Sequence, residues 1–194
     1  GLDKTEPEAP GDEKTEVTDI TASQYQRKII YNVKTVLESR DFDDAIAKIR
    51  SLVSENFGYI ESSQVSGVSY SSGKYYTRSA YFTIRVPADK LDGYVDTLGT
   101  FCNVTSTNTS TRDVTETYYD VQARLDAYRV QEERLLAMLE GSTDLEYMLR
   151  VEDKLSEVRY YIDSLQSTIN AYDAKVEYST VEITLREVVD YTKV

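Results

Sequence analysis

The chain has 194 residues, with 22 Lys and Arg against 34 Asp and Glu and a net charge of −12. His is absent and Cys occurs once, at Cys102, so a single chain cannot build a Ser-His-Asp triad, a Cys-His dyad, a His/Cys zinc site or an internal disulfide. The acidic balance argues against nucleic acid, whose phosphates demand clustered Lys and Arg, and no stretch approaches the ~18 consecutive apolar residues of a membrane span.

Residues 1–24 contain Pro7, Pro10 and many charged side chains with almost nothing large and apolar, a composition that reads as a disordered acidic linker. No signal-peptide pattern opens the sequence, and as it starts on Gly1 without a Met that says little about targeting. A first strand is expected where Ile29, Tyr31, Val33 and Leu37 fall on one side of an alternating run. Asp41 then stands as an N-cap with Asp43 and Asp44 behind it, and Phe42, Ala45, Ile46, Ile49, Leu52 and Val53 form one apolar helical face that Gly58 ends. A second strand from Tyr59 to about Val68 leads through Ser71-Ser72-Gly73 into a third, in which Ala80, Phe82, Ile84 and Val86 face one way until Pro87 stops the ladder. Leu91, Tyr94, Val95, Leu98 and Phe101 mark a second helix, and a polar fourth strand runs from Val104 to Ser110. The order β-α-β-β-α-β predicts an α+β protein with a ferredoxin-like sheet and both helices on one face.

Two long helices come next. Asp113 and Glu116 suggest a capping box, after which Tyr118, Val121, Leu125, Tyr128, Leu135 and Leu139 recur with Glu132 breaking the row. Past Gly141-Ser142, Thr143 and Glu146 suggest another box, and Met148, Val151, Leu155, Val158, Ile162, Leu165, Ile169, Tyr172 and Val176 alternate steps of three and four. Joined by a short turn, the two helices are expected to fold back as a long antiparallel coiled-coil hairpin projecting on the order of 40 to 50 Å. Val181, Ile183 and Leu185 then alternate with polar residues in a fifth strand, whose place in the sheet stays open. The expected organisation is thus a linker at 1–24, a sheet body at 25–112 and 177–190, and an inserted hairpin at 113–176. All the net charge resides in residues 1–19 and the hairpin, and the remainder is balanced.

Several segments together resemble a known family: Arg85-Val86-Pro87-Ala88 with Leu91-Asp92, Asp113-Val114-Thr115 through Tyr119-Asp120, Ala123-Arg124-Leu125, Gln131-Glu132-Glu133-Arg134-Leu135, and Tyr178-Ser179-Thr180. Over about residues 25–188 the sequence resembles the bacterial domain-of-unknown-function 4349 family. That resemblance implies an envelope protein, extracytoplasmic and membrane-anchored in its full-length form, since members commonly begin with a lipoprotein-type signal and an acidic linker and end in a transmembrane helix with a basic tail. It brings no catalytic or ligand residues with it.

The residues themselves offer no recognisable active site. There is no P-loop, GxGxxG or D-x-D-x-D-G pattern, and the hairpin acids read as a solvated helix face. No catalytic, cofactor-binding or metal-ligating residue is therefore assigned, and the protein is expected to be non-enzymatic. Cys102 reads as a small buried hydrophobe. With 17 Tyr and no Trp, tyrosines are the candidate partner contacts, because each offers a flat apolar face and a hydroxyl. They are Tyr70, Tyr75 and Tyr76 at the β2–β3 hairpin and Tyr119 and Tyr161 on the long helices. The expected partner is another envelope protein met through the coiled-coil hairpin; the alternative is a cell-wall glycan or peptide bound by exposed tyrosines. A seam satisfied within one hairpin favours a monomer, although Leu136 beside Leu135 leaves a surplus apolar position for pairing two hairpins.

Overall fold

A computed structural model describes residues 26–67 and 77–193. The expected acidic linker at 1–24 and Tyr70, Tyr75 and Tyr76 lie outside the described residues, as does the expected end of the second strand at Val68. Chain order is β1 (Ile29–Ser39), α1 (Phe42–Glu55), β2 (Tyr59–Ser66), β3 (Ser79–Pro87), a short 3-10 turn (Ala88–Lys90), α2 (Leu91–Phe101), β4 (Asn103–Asp113), α3 (Thr115–Glu140), α4 (Leu145–Glu177) and β5 (Tyr178–Glu187). The protein is α+β, and among the described residues five strands form one mixed sheet of order β2-β3-β5-β1-β4. β5 runs parallel to β1 and antiparallel to β3. The fifth strand therefore occupies the centre, and β1 and β3 are not the direct neighbours they would be in a four-stranded ferredoxin-like sheet.

Alternation in the three inner strands decides where the core sits. Val33 and Leu37 of β1, Ala80, Phe82, Ile84 and Val86 of β3, and Val181, Ile183 and Leu185 of β5 are all buried and point to one face. α1 covers that face with Phe42, Ala45, Ile49, Leu52 and Val53, and α2 with Leu91, Tyr94 and Leu98. Cys102 joins this core, and burial pushes its thiol pKa up to about 11, which keeps it protonated and inert. The hydroxyl of fully buried Tyr94 has no partner among the described residues, and desolvation drives its ionisation far above the ordinary range.

The opposite face is polar. The register aligns Arg85, Thr180 and Asn32 across β3, β5 and β1, and Thr83, Glu182 and Lys34 form the next row. In that second row Lys34 and Glu182 make a surface ion pair at 2.9 Å.

Local signals explain the helix ends. The Asp41 carboxylate accepts the Asp44 amide of α1, the cap that the sequence predicts. At the other end Phe57 N–H reaches Ser54 O at 3.2 Å and Gly58 N–H reaches Val53 O at 2.9 Å, a Schellman arrangement. The left-handed residue in it is Phe57 (φ 57°) rather than Gly58. Gly58 is needed for a different reason, since a Cβ there would lie 2.5 Å from Arg85 O. Two predicted capping boxes shift by one residue. α3 begins at Thr115 with Val114 at its N-cap, and the Asp113 carboxylate accepts both the amide and hydroxyl of Thr115 from the end of β4. For α4 the cap is Asp144 rather than Thr143, accepting the Glu146 and Tyr147 amides.

The far end of the sheet is tied by carboxylates. Arg78 donates to Glu187 at 2.9 and 3.0 Å and to Asp43 at 3.0 Å, with its guanidinium 4.6 Å from the Phe42 ring centre. The Arg78 hydrogen bonds hold Glu187 below its ordinary pKa, and those from Thr192 do the same for Glu38. A carboxylate depressed in the folded state contributes stability above its unfolded pKa and loses it as pH falls through the folded value. The thermal midpoint should therefore decline as pH drops below the ordinary value of 4.5, and Glu187→Gln should flatten part of that decline. Identical melting profiles for the two proteins between neutral and acidic pH would contradict this.

Candidate functional site: the helical hairpin and its tip

α3 and α4 lie antiparallel, as the cross-helix contacts show: Tyr118 with Asp173, Arg129 with Gln166, and Glu132 with Arg159. Leu125, Val151, Leu155, Val158 and Ile169 are buried between them, so the steps of three and four in the sequence do mark the inward stripe. Glu132, which interrupts that stripe, reaches across to Arg159 Nε at 2.7 Å. The 33 residues of α4 give a rod of about 50 Å at ~1.5 Å per residue.

The foot of this hairpin is anchored to the start of β1. Lys28 O accepts the Val114 amide at 2.8 Å, and Lys28 N–H donates to Thr115 Oγ1 at 2.9 Å. Lys28 Nζ pairs with Asp173 at 3.1 Å while standing 4.2 Å from the centre of the Tyr118 ring. Burial pulls the Lys28 pKa down, but the hydrogen bond and charge of Asp173 outweigh it and the net shift is upward, so this ammonium stays charged. At the same foot α4 passes into β5 with no intervening loop.

The tyrosines of the hairpin fall into two groups. Near the foot, Tyr118 meets Tyr119 edge-on at 5.3 Å and Tyr172 at 6.4 Å. Tyr119 donates its hydroxyl to Gln26 O at 3.3 Å and lines an open acidic hollow of about 660 Å³ with Asp113, Thr115, Glu116, Asp120 and Ala123. Midway along, Tyr161 stacks on Tyr128 across the helix pair at 5.0 Å, and Tyr160 meets Tyr161 edge-on at 5.7 Å. Tyr160 is 70% exposed and Tyr161 40%. Tyr119 and Tyr161 are thus on separate parts of the hairpin, not in one patch.

Beyond the tyrosines, the tip carries a feature that the heptad reading passes over. Leu136, Met138, Leu145 and Leu149 are exposed within two or three turns of Gly141, with Leu145 at 71% and Leu149 at 54%. Leu145 and Leu149 are four residues apart on α4 and so share one face, off the row of Met148, Val151 and Leu155. Their spacing out of step with the seam is the sequence signal for this face, as the adjacency of Leu136 to Leu135 is on α3. Exposed apolar side chains gathered at one place mark a surface that gains from being covered.

No group of His, Cys, Asp and Glu suited to a metal ion occurs among the described residues, and no described helix is long and apolar enough to cross a membrane. The model of the family described as "Domain of unknown function (DUF4349)" matches residues 27–194. The chain belongs to that family. The match begins within two residues of β1 and takes in the sheet body and the hairpin together, so the family's unit includes the insertion as well as the sheet. No curated protein and no solved structure matches the chain.

Proposed function

We propose that this member of the DUF4349 family is a non-enzymatic, extracytoplasmic interaction module of a bacterial envelope protein, in which a coiled-coil hairpin carried on a split ferredoxin-like sheet docks a protein partner with its tip. The observation that carries this reading is the set of exposed apolar side chains, Leu136, Met138, Leu145 and Leu149, at the end of a hairpin whose foot is fixed to the sheet. A scaffold that holds such a tip far from its body has little to gain from it except contact with another surface. The acidic character of residues 113–176 points to a partner whose apolar acceptor is rimmed by Lys and Arg.

Placement of the C-terminal side of the described residues agrees with this role. Thr192 is tied to Glu38 at 2.7 and 2.8 Å, at the end of the sheet opposite the hairpin foot. A membrane anchor following the chain, as the family resemblance implies, would then direct the hairpin away from the bilayer.

A photo-crosslinking side chain at residue 138, introduced into the full-length protein in its native cell, should yield a discrete adduct. The same adduct should be lost on Leu145→Glu with Leu149→Glu, two exposed positions where charge leaves the fold intact. An undiminished adduct in that double variant would refute tip docking.

A further inference from the structure

On the polar face of the sheet, at the foot of the hairpin, five elements converge on a concavity of about 250 Å³ lined by Ile30, Asn32, Arg85, Arg112, Lys175 and Thr180. Three of its six side chains are cationic in a protein whose net charge is −12. Register explains the convergence. Arg85, Thr180 and Asn32 stand in one row across β3, β5 and β1, Arg112 of β4 pairs with Ile30 of β1 beside that row, and Lys175 enters from the last turn of α4.

The cations differ in how they are satisfied. Arg85 is held in place: Nε and Nη2 donate to Glu61 at 3.0 and 3.3 Å, and Nη1 donates to Thr180 Oγ1. Glu61 is the extra residue of a bulge between Ile60 and Ser62, the device that aims its carboxylate at Arg85. Arg112 and Lys175, by contrast, have neither a hydrogen bond nor an ion pair among the described residues. After Glu61 has balanced Arg85, two positive charges face the concavity uncompensated, with the Asn32 amide and Thr180 hydroxyl beside them.

The geometry points to a binding site for a phosphate monoester, with Arg112 and Lys175 supplying its charge partners and Asn32 and Thr180 its hydrogen bonds. Two unpaired cations match a group that carries about −1.5 to −2 charge at neutral pH better than they match a monoanionic carboxylate. Such a group comes either as the headgroup of a lipid or as a soluble ester, and the site reads the chemistry that both share. It is separate from the hairpin tip, so its failure would leave tip docking standing.

The test is a titration of isotope-labelled protein with inorganic phosphate at ionic strength held constant by chloride, following the amide resonances of Asn32 and Thr180 and the Arg85 side-chain Nε–H. Saturable shifts are expected at concentrations on the order of millimolar. Arg112→Gln with Lys175→Gln, both exposed positions, should raise the half-saturating concentration roughly ten- to a hundredfold while leaving the circular dichroism spectrum unchanged. Equal shifts with acetate, or an unaltered titration in the double variant, would overturn the assignment. Phosphatidylcholine vesicles with and without phosphatidic acid separate the sources. Sedimentation that needs both phosphatidic acid and the two cations assigns a lipid headgroup, and a phosphate response without sedimentation assigns a soluble ester.

Discussion

Ending the chain at Glu177, so that β5 is lost, is expected to abolish cooperative folding of the entire sheet. β5 lies between β3 and β1, and its removal would leave two buried rows of backbone donors and acceptors without partners, not merely an exposed edge. It would also withdraw Val181, Ile183 and Leu185, each no more than 1% exposed, from the middle of the core. A point substitution gives a milder version of the same result. Ile183→Ala should cost about 2–5 kcal/mol, the range for deleting buried aliphatic atoms that neighbours cannot replace. Val65→Ala on the edge strand β2, where the side chain is 50% exposed, should stay within about 0.5 kcal/mol. Urea unfolding of the three proteins checks the ordering. A truncated chain with a cooperative transition, or an Ile183→Ala midpoint equal to that of Val65→Ala, would contradict the central position of β5.

Excising the hairpin should have the opposite outcome for the body. Arg112 pairs with Ile30 on one side of β1, and Asn32 pairs with Thr180 on the other, so the ends to be joined flank β1 two strand spacings apart, about 10 Å. A Gly/Ser linker of about four to six residues in place of 113–177 spans that gap. The core against α1 and α2 contains no residue of α3 or α4; the hairpin's own buried set is a second cluster around Tyr118, Leu125 and Ile169. The excised protein is expected to remain folded, with some loss from the contacts of Lys28 and Val114, and to fail to pull down the partner that the residue-138 adduct identifies in the intact protein. A body that no longer unfolds cooperatively would show that the foot contacts are indispensable to the sheet, and an excised protein that still captures the partner would move the docking surface to the body.

Much of this could be anticipated wherever the controlling interactions are local. Helix α1 follows from Asp41 and the spacing of Phe42, Ala45, Ile49, Leu52 and Val53, and the inward stripe of α4 from its alternating steps, because neighbours three and four residues apart decide both. The cap of α4 falls on Asp144 rather than Thr143 because adjacent Thr and Asp side chains offer nearly equivalent acceptors, whereas at α3 Asp113 keeps its bond to Thr115 and the backbone path puts Val114 at the N-cap. Glu132 was visible as an interruption of the seam, but its bond to Arg159, 27 residues along the chain, depended on how the two helices meet.

What the sequence by itself determined is therefore the identity of the elements and, for α1, α2, α4, β1, β3 and β5, which side turns inward, since burial leaves its period in the chain. What only the tertiary structure decided is who stands beside whom. The alternation of Val181, Ile183 and Leu185 marks a strand with one buried face, yet nothing in that pattern says that β1, which begins at Ile29, and β3 will take it between them. Arg85, Arg112 and Lys175 look like three unrelated surface charges until the register of four strands and the end of α4 bring them to one hollow. Side-chain periodicity is a property of a single segment, whereas strand order and charge clustering arise from pairings between distant segments, whose free energies are settled only when the whole sheet closes on its core.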